Sequence, residues 1–452
     1  MTSGFQFSPL ELSLYLLKTP RKRGLKRKVV GQKDIIIQAH KMSPGVLSAE
    51  PGFTVTPMSK TEKEKPNFGA VIEDLDLESI SGKFNVMVVY NDQRLTSLDA
   101  DEKALAETIW THKLVVVKGQ KNLSPIKQWE LVTRFDPKAP QVHSHGDVKT
   151  FHKQGGLLTK GRDVIGIPGA ENVRLIGKGH QGEDHYGLKD VTVQKGVLHA
   201  WHDQPPTDEE YQAGHTRFQR WHIDAPLYAR DPAWFTTLRC IRRPTAPTLT
   251  IHWDDGSGQT METEPGLTAF MSSVQTYDMM TDEEKKIADH SWVEYAPHPY
   301  QWMGDCKGQP NGLGVVSQCQ EKRLEDLGDY DQKDIKRYPM TWVNPVTGER
   351  AFMVHGICVR RAFFRSSAHE EPRVVDDVAA IRAWLKPIQE RVLKPEFILL
   401  PRVDEGDVIM WANYQLFHTA VDYPDHWGVR TMHQANIGAS AGPVGPVPIP
   451  VA

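Results

Sequence analysis

Past about residue 160 the chain never sustains an apolar run for long. "VRLIGKG", "FQRWHIDAPLY", "FTTLRCIRRP", "TLTIHWDDGSG", "GLTAFMSS", "FMVHGICVRR", "DVIMWANYQLFHT" and "RTMHQANIG" follow one another, separated by Gly, Pro and Asp clusters. Runs this short do not build long helices, and the turn-forming residues between them reverse the chain after each one, the pattern of a β-sandwich or barrel. Helices are expected around it: "SLDADEKALAETIWTHK", with Ser97 or Asp99 near its cap, "SPIKQWELVTRF", with Ser124 and Pro125 as cap and first-turn pair, "TDEEKKIADHSW", and "DDVAAIRAWLKPIQERVL", which Pro387 should interrupt. The expected class is mainly β with flanking helices.

Upstream, "FGAVIEDLDLES" reads as a strand and turn and "LVVVKGQ" as a buried strand. Residues 1–67 read as a basic N-terminal arm and connector, marked by "KTPRKRGLKRK" at 18–28 and "MSKTEKEKPN" at 58–67. Short basic runs near a terminus are usually solvated tails. Residues 68–440 form one large domain with helical inserts, and 441–452 a Pro/Gly-rich extended tail. A net charge of −3 gives no global attraction to nucleic acid or to an anionic membrane surface, and leaves small molecules as the expected partners. The four cysteines, Cys240, Cys306, Cys319 and Cys358, are dispersed without a CxxC pair, which reads as free thiols in a reducing compartment. No run of about 18 apolar residues exists, and "FSPLELSLYLLK", which carries Glu11, fits a secretory signal poorly. A cytoplasmic location is expected.

"RWHIDAPLY" carries the chemistry. In an extended strand residues i and i+2 share a face, so His222 and Asp224 can both point at one ion. His418 ends "WANYQLFH", and two imidazoles with one carboxylate on one face of an octahedron leave three positions open, the arrangement of non-haem Fe(II) oxygenases. One HxD in a chain with 19 histidines is weak alone; His199 and His202 in "HAWHD" show how cheaply such spacings arise, and they read as a structural pair. Arg430, twelve residues beyond His418, adds weight, because a guanidinium fork holds a carboxylate through two parallel hydrogen bonds.

The order His222-Ile-Asp224, His418, Arg430 resembles the TauD/TfdA family of Fe(II)/2-oxoglutarate-dependent dioxygenases. "FGAVIEDLDL", "LVVVKGQKNLSP" and "GLTAFMSSVQTYDMMTDEEK" resemble further segments of that family, so the likeness spans roughly 68 to 440. It implies a double-stranded β-helix, a cupin-like jelly roll. It also implies Fe(II) on His222, Asp224 and His418, O2 as oxidant, and 2-oxoglutarate as cosubstrate, its distal carboxylate on Arg430 and Thr250, with Thr248 the competing threonine. Oxidative decarboxylation of 2-oxoglutarate to succinate and CO2 would be coupled to substrate oxidation. The family is often oligomeric, so a homo-oligomer is compatible with the resemblance.

Within that family the chain most resembles fungal xanthine dioxygenases. Gln434 and Asn436, four and six residues beyond Arg430, match a substrate-binding amide pair of that subgroup, and Lys195 and Glu210 match its lysine and glutamate. Tyr211 stands where that subgroup has an aspartate. C8 hydroxylation of xanthine to urate is therefore one reading. The same cofactor chemistry on an amino acid or a natural-product intermediate is another. A zinc hydrolase or silent jelly roll is a third, disfavoured by Arg430, since hydrolysis needs no dicarboxylate clamp. Trp221, Tyr228, Trp253, Trp411, Tyr414 and Phe417 flank the site, most of them as core.

Overall fold

The segment Leu114–Val117, LVVV, is apolar at every position because the strand is covered on both faces, and all four side chains are buried. It lies within a nine-stranded sheet of the computed structural model, which describes residues 52–61, 64–80, 86–90, 93–98, 100–144, 165–193, 198–224, 230–316, 320–332 and 335–450, with backbone alone for 86–98. The basic cluster at 18–28, Asp99, Lys195, Tyr228 and Cys319 fall outside what is described, as does the side chain of Ser97, whose backbone belongs to strand Gln93–Leu98.

The sheet runs Thr54–Pro57, Ala70–Glu73, Leu114–Val117, Val408–Ala412, Phe235–Arg242, Arg430–Asn436, Ala170–His180, Thr192–Val193, and Ile165–Ile167 also pairs with Ala170–His180. Ala70–Glu73 is parallel to Leu114–Val117, with helix Ala100–His112 in the crossover, as parallel neighbours require. Alternation along the central strands sends Leu114, Val116, Leu238, Cys240, Ile409, Trp411 and Met432 to one face, where they pack with Leu267, Phe270 and Leu416. Phe270 and Leu416 belong to a second sheet, Ile398–Leu399, Thr268–Ser272 and Leu416–Ala420. The two sheets meet across this apolar cluster.

Helix Pro125–Phe135 covers the other face of the large sheet. Its Gln128 donates to Thr237 Oγ1 and the His433 carbonyl, and Val132 packs among Val173, Leu175 and Ala435. Ser124 caps it, accepting from Lys127 N, and Pro125 occupies its first turn. Thr281 and Glu284 form a capping box on Asp282–His290. The architecture is mainly β with flanking helices, and among the described residues the strands do not close into a barrel.

Three sequence expectations are modified. Helix Val378–Gln389 passes through Pro387, because the proline sits near the C-terminal end and forfeits little before a 3-10 turn takes over at Glu390–Val392. "FMVHGICVRR" is not one strand: Arg350–Phe352 and Val359–Phe364 are separated by the largely buried link 353–358. Among the described residues the first strand is Thr54–Pro57, ahead of Phe68, and the C-terminal segment is docked: Val444 O accepts from Val343 N at 2.9 Å and Pro448 O from Arg365 Nη2 at 3.0 Å. Proline and glycine limit regular structure there but leave carbonyls free to accept. No described helix is long and apolar enough to cross a membrane. Cys240 and Cys358 are buried without a disulfide.

Candidate active site

The segment carrying His222 is laid antiparallel on strand Leu416–Ala420 with one residue too many. Gln219 N donates to Ala420 O, Arg220 N to Thr419 Oγ1, and His222 and His418 exchange both backbone bonds at 3.0 and 2.9 Å. Three steps on one side thus oppose two on the other, a β-bulge, a device that re-aims side chains beside active sites. Regular alternation through "RWHID" is corrected accordingly: contact with His418 comes from direct pairing, not from an extended strand of its own.

That pairing sets the imidazole centroids of His222 and His418 4.2 Å apart. Asp224 Oδ1 lies 3.7 Å from His418 Nε2, and one ligating atom from each of His222, Asp224 and His418 lies within 4.8 Å of the others. His222 Nδ1 donates to the Arg220 carbonyl at 2.9 Å, which fixes the tautomer and leaves the Nε2 lone pair for a metal. Burial holds both imidazoles below their ordinary pKa; at His222 the His418 and Arg220 charges add to it, and at His418 the Asp224 carboxylate opposes it. Both are therefore neutral, the form that ligates.

The second oxygen of Asp224 is tied down. Oδ2 accepts from Thr236 Oγ1 at 2.7 Å and Asn436 Nδ2 at 3.3 Å. Thr236 Oγ1 accepts in turn from Asn413 Nδ2 at 2.8 Å and Asn436 Nδ2 at 3.1 Å, Asn413 Oδ1 accepts from Trp411 Nε1, and Asn436 Oδ1 accepts from Ser144 Oγ. The large sheet dictates this cluster, since Thr236 stands in register with both Asn436 and Trp411. Asp224 is 2% exposed and, among the described residues, has no Lys or Arg partner. A buried carboxylate without a cation is costly by several kcal/mol. A divalent ion would remove that cost, and two imidazole nitrogens with one carboxylate oxygen fit Fe(II).

Arg430 opens its strand, with Nε donating to Gly266 O at 2.7 Å and Nη2 3.3 Å from Thr268 Oγ1. Among the described residues no carboxylate forms an ion pair with it. The structure does not bring Thr250 to this guanidinium: its hydroxyl donates to Glu262 at 2.8 Å within a separate sheet, His215–Thr216, Leu249–His252 and Thr260–Thr263, and Thr248 is exposed. Thr268 takes the place, because its strand pairs with the one carrying His418, Thr268 opposite Ala420. Sequence spacing alone does not reveal that pairing.

The substrate candidates part company. Gln434 shares a face with Thr236 and Met432, and its side chain has no hydrogen-bond partner among the described residues. Asn436 lies on that face too, but its amide serves Asp224, Thr236 and Ser144. Glu210 is a surface capping residue of helix Asp208–Gln212, and its bonds to Thr207 hold its carboxyl below the usual range. Tyr211 is buried, donating to Tyr423 O and accepting from Lys178 Nζ. His202 sits with its ring nitrogens 2.9 and 3.0 Å from the Gln309 and Phe218 carbonyls, a structural role. Trp221, Trp253, Trp411, Tyr414 and Phe417 are all buried, and the Trp411 ring lies 4.9 Å from that of His418. The sequence carried no signal for Ser144, Thr236 or Asn413.

Comparison with known proteins follows the same line. The family model described as taurine catabolism dioxygenase TauD, TfdA family matches residues 89–436. The alpha-ketoglutarate-dependent dioxygenase bsc9 of Alternaria brassicicola is 36% identical over 407 residues, covering 89% of this chain and 98% of that protein. The alpha-ketoglutarate-dependent dioxygenase fc-dox of Phomopsis amygdali is 38% identical, covering 88% and 95%. The alpha-ketoglutarate-dependent xanthine dioxygenase xanA of Emericella nidulans is 34% identical, covering 87% and 99%. With its motif residues assembled and the match spanning most of its length, the chain belongs to the taurine catabolism dioxygenase TauD, TfdA family.

Proposed function

We propose that this enzyme couples oxidative decarboxylation of 2-oxoglutarate to oxidation of a small organic substrate by O2, with Fe(II) held by His222, Asp224 and His418. The observation that carries the reading is the convergence of those three ligating atoms within 4.8 Å around a buried carboxylate that, among the described residues, has no Lys or Arg partner. Bound there, Fe(II) supplies the redox chemistry that joins succinate and CO2 formation to substrate oxidation. The two sheets are the halves of the double-stranded β-helix that such a site occupies.

The protein's own contribution is position and exclusion. The His222 tautomer is set by the Arg220 carbonyl, and Thr236 and Asn436 hold Asp224 Oδ2 so that Oδ1 faces the imidazoles. Arg430, backed by Gly266 and Thr268, presents the fork for the distal carboxylate of 2-oxoglutarate. Phe270 and Trp411 pack on His418 and keep bulk water from its far side. Gln434 faces the substrate, its carboxamide able to donate and accept.

For the substrate, a small molecule other than a purine is the better reading. Three of the features expected to read xanthine are otherwise engaged or replaced: Asn436 serves the metal carboxylate, Glu210 caps a surface helix, and Tyr211 is hydrogen-bonded into the core. Relatives named as xanthine dioxygenases and the position of Gln434 keep C8 hydroxylation of xanthine to urate as the second reading. The test is aerobic turnover with Fe(II) and 2-oxoglutarate against a panel of xanthine, other purines, amino acids and other small organic acids and alcohols, following succinate and substrate mass together. Succinate matched mole for mole by oxidised xanthine would overturn the preference for a non-purine. No succinate above a metal-free control with any compound would count against the reaction class.

A further inference from the structure

Lys178 stands directly opposite Arg430, in register on the neighbouring strand Ala170–His180, so the two side chains leave the same face of the large sheet. Like charges so placed repel each other, and a lysine that is only 5% exposed is rare unless it is paired. Its ammonium is taken up by the turn that joins the His418 strand to the Arg430 strand. Nζ donates to Asp422 Oδ1 at 2.8 Å, to the Tyr211 hydroxyl at 2.9 Å and to the Tyr423 carbonyl, and lies 3.0 Å from Asp425 Oδ1.

The same turn brings the buried Asp422 to the fork. Val421 N donates to Leu267 O at 3.3 Å, which carries the pairing of Ala420 with Thr268 one step further and sets Asp422 opposite Gly266. Gly266 and Thr268 are the residues that Arg430 contacts, Nε donating to the Gly266 carbonyl and Nη2 lying 3.3 Å from the Thr268 hydroxyl. Asp422, Ala420 and Thr268 share a face by parity, so the carboxylate and the guanidinium meet at one corner of the fold. Among the described residues Asp422 nevertheless pairs with Lys178 and not with Arg430.

We propose that Lys178 is a positioning residue that keeps the Arg430 fork open for the distal carboxylate of 2-oxoglutarate, by holding the Asp422 carboxylate that would otherwise close on it. This rests on the reading of Arg430 given above. A buried carboxylate stripped of its cation is strongly unfavourable, and the adjacent guanidinium is the cation able to replace the ammonium. An Asp422–Arg430 pair would occupy the donors that the cosubstrate needs. The ammonium thus has two effects, bracing the turn between a metal ligand and the fork, and leaving the fork without a carboxylate of its own.

The test is calorimetric titration of 2-oxoglutarate into the full chain loaded with Mn(II), with Mn(II) affinity followed by electron paramagnetic resonance. Lys178→Met should raise the 2-oxoglutarate Kd by about tenfold or more, at unchanged Mn(II) affinity. Lys178→Met/Asp422→Asn should return the Kd to within about threefold of the wild type, because asparagine keeps the oxygen that accepts from Tyr423 N and removes the competing charge. Asp425, whose side chain is 43% exposed, stays hydrated without Lys178. A role confined to the shape of the turn would leave the double variant as weak as Lys178→Met, since neither restores the ammonium's bonds. That result would overturn the proposal, as would wild-type 2-oxoglutarate affinity in Lys178→Met or a parallel loss of Mn(II) affinity. Should Lys178→Met fail to fold, Lys178→Gln, whose amide can still donate to the Tyr423 carbonyl, is compared with Lys178→Gln/Asp422→Asn by the same criteria. Arg430→Ala in the same titration separates the two levels. Wild-type affinity there would remove the cosubstrate role of Arg430 and this inference with it, whereas weakened binding there beside unaltered binding in Lys178→Met would remove the role of Lys178 alone.

Discussion

Replacing Thr236 with valine keeps the shape of the side chain and removes one oxygen. That oxygen donates to Asp224 Oδ2 at 2.7 Å and accepts from Asn413 and Asn436 amides at 2.8 and 3.1 Å. Hydrogen bonds to charged groups contribute about 1.5–3 kcal/mol, and each buried donor left without an acceptor costs about 1–3 kcal/mol. Asn436 Nδ2 keeps Asp224 as an acceptor, so the Asn413 amide is the chief orphan. Thr236→Val should therefore lower unfolding free energy by about 2.5–6 kcal/mol, read by urea denaturation of the metal-free protein. With Asp224 Oδ2 held by one donor instead of two, its division between protein and metal loosens, and divalent-metal affinity should fall by roughly 10–100-fold, the usual effect of removing a partner of a ligating group. Mn(II) titration followed by electron paramagnetic resonance measures this, and Thr236→Ser, which restores the hydroxyl, should recover most of it. Metal affinity in Thr236→Val within a factor of about two of the wild type would refute the assignment of the network to Asp224.

Arg430→Ala should raise the 2-oxoglutarate concentration needed for half-maximal succinate formation by well over an order of magnitude, and Thr268→Val by less, because the threonine supplies only a neutral neighbour; equal effects from Thr250→Val would restore the original threonine assignment. Gln434→Ala should impair substrate use while leaving Mn(II) affinity unchanged, whereas Asn436→Ala should weaken Mn(II) binding, and the reverse pattern would mean their roles are exchanged. His433, buried against His185, has its pKa pushed down to about 3, by burial first and then by the His185 and Arg239 charges. A depressed histidine stabilises the fold above the unfolded-state value near 6.5 and loses that contribution as pH falls toward the folded-state value, at about 1.4 kcal/mol per pH unit. Urea unfolding of His433→Gln at pH 6 and pH 5 should accordingly show a drop smaller than the wild type's by about that amount, and parallel drops would place His433 in a solvated setting.

The clustering of His222, Asp224 and His418 was legible because residue type and order mark it: an HxD, a later His, and an Arg at fixed spacing. The flanking helices were legible where caps are local, as with Ser124 before Pro125 and Thr281 before Glu284. What escaped depends on pairing between distant segments. Thr268 stands beside Arg430 because two strands in different sheets approach there, and Thr250, at a more family-like spacing, lies on a third sheet. Asn436 shares a strand face with Gln434, which parity shows, but only the register opposite Thr236 reveals that it serves Asp224. Glu210 matches a substrate contact by its offset, yet Thr207 three residues earlier already spells a capping box. The bulge at Arg220 has no sequence signature at all, since no glycine or proline marks it.

The most direct test of the central claim is visible absorption during anaerobic addition of Fe(II) and then 2-oxoglutarate to the wild type and to Asp224→Ala. The wild type should develop a charge-transfer band that saturates with both components, and Asp224→Ala, lacking the carboxylate ligand, should not. A wild type with no such band at saturation, or a band equally strong in Asp224→Ala, would contradict the assignment of His222, Asp224 and His418 as the iron site.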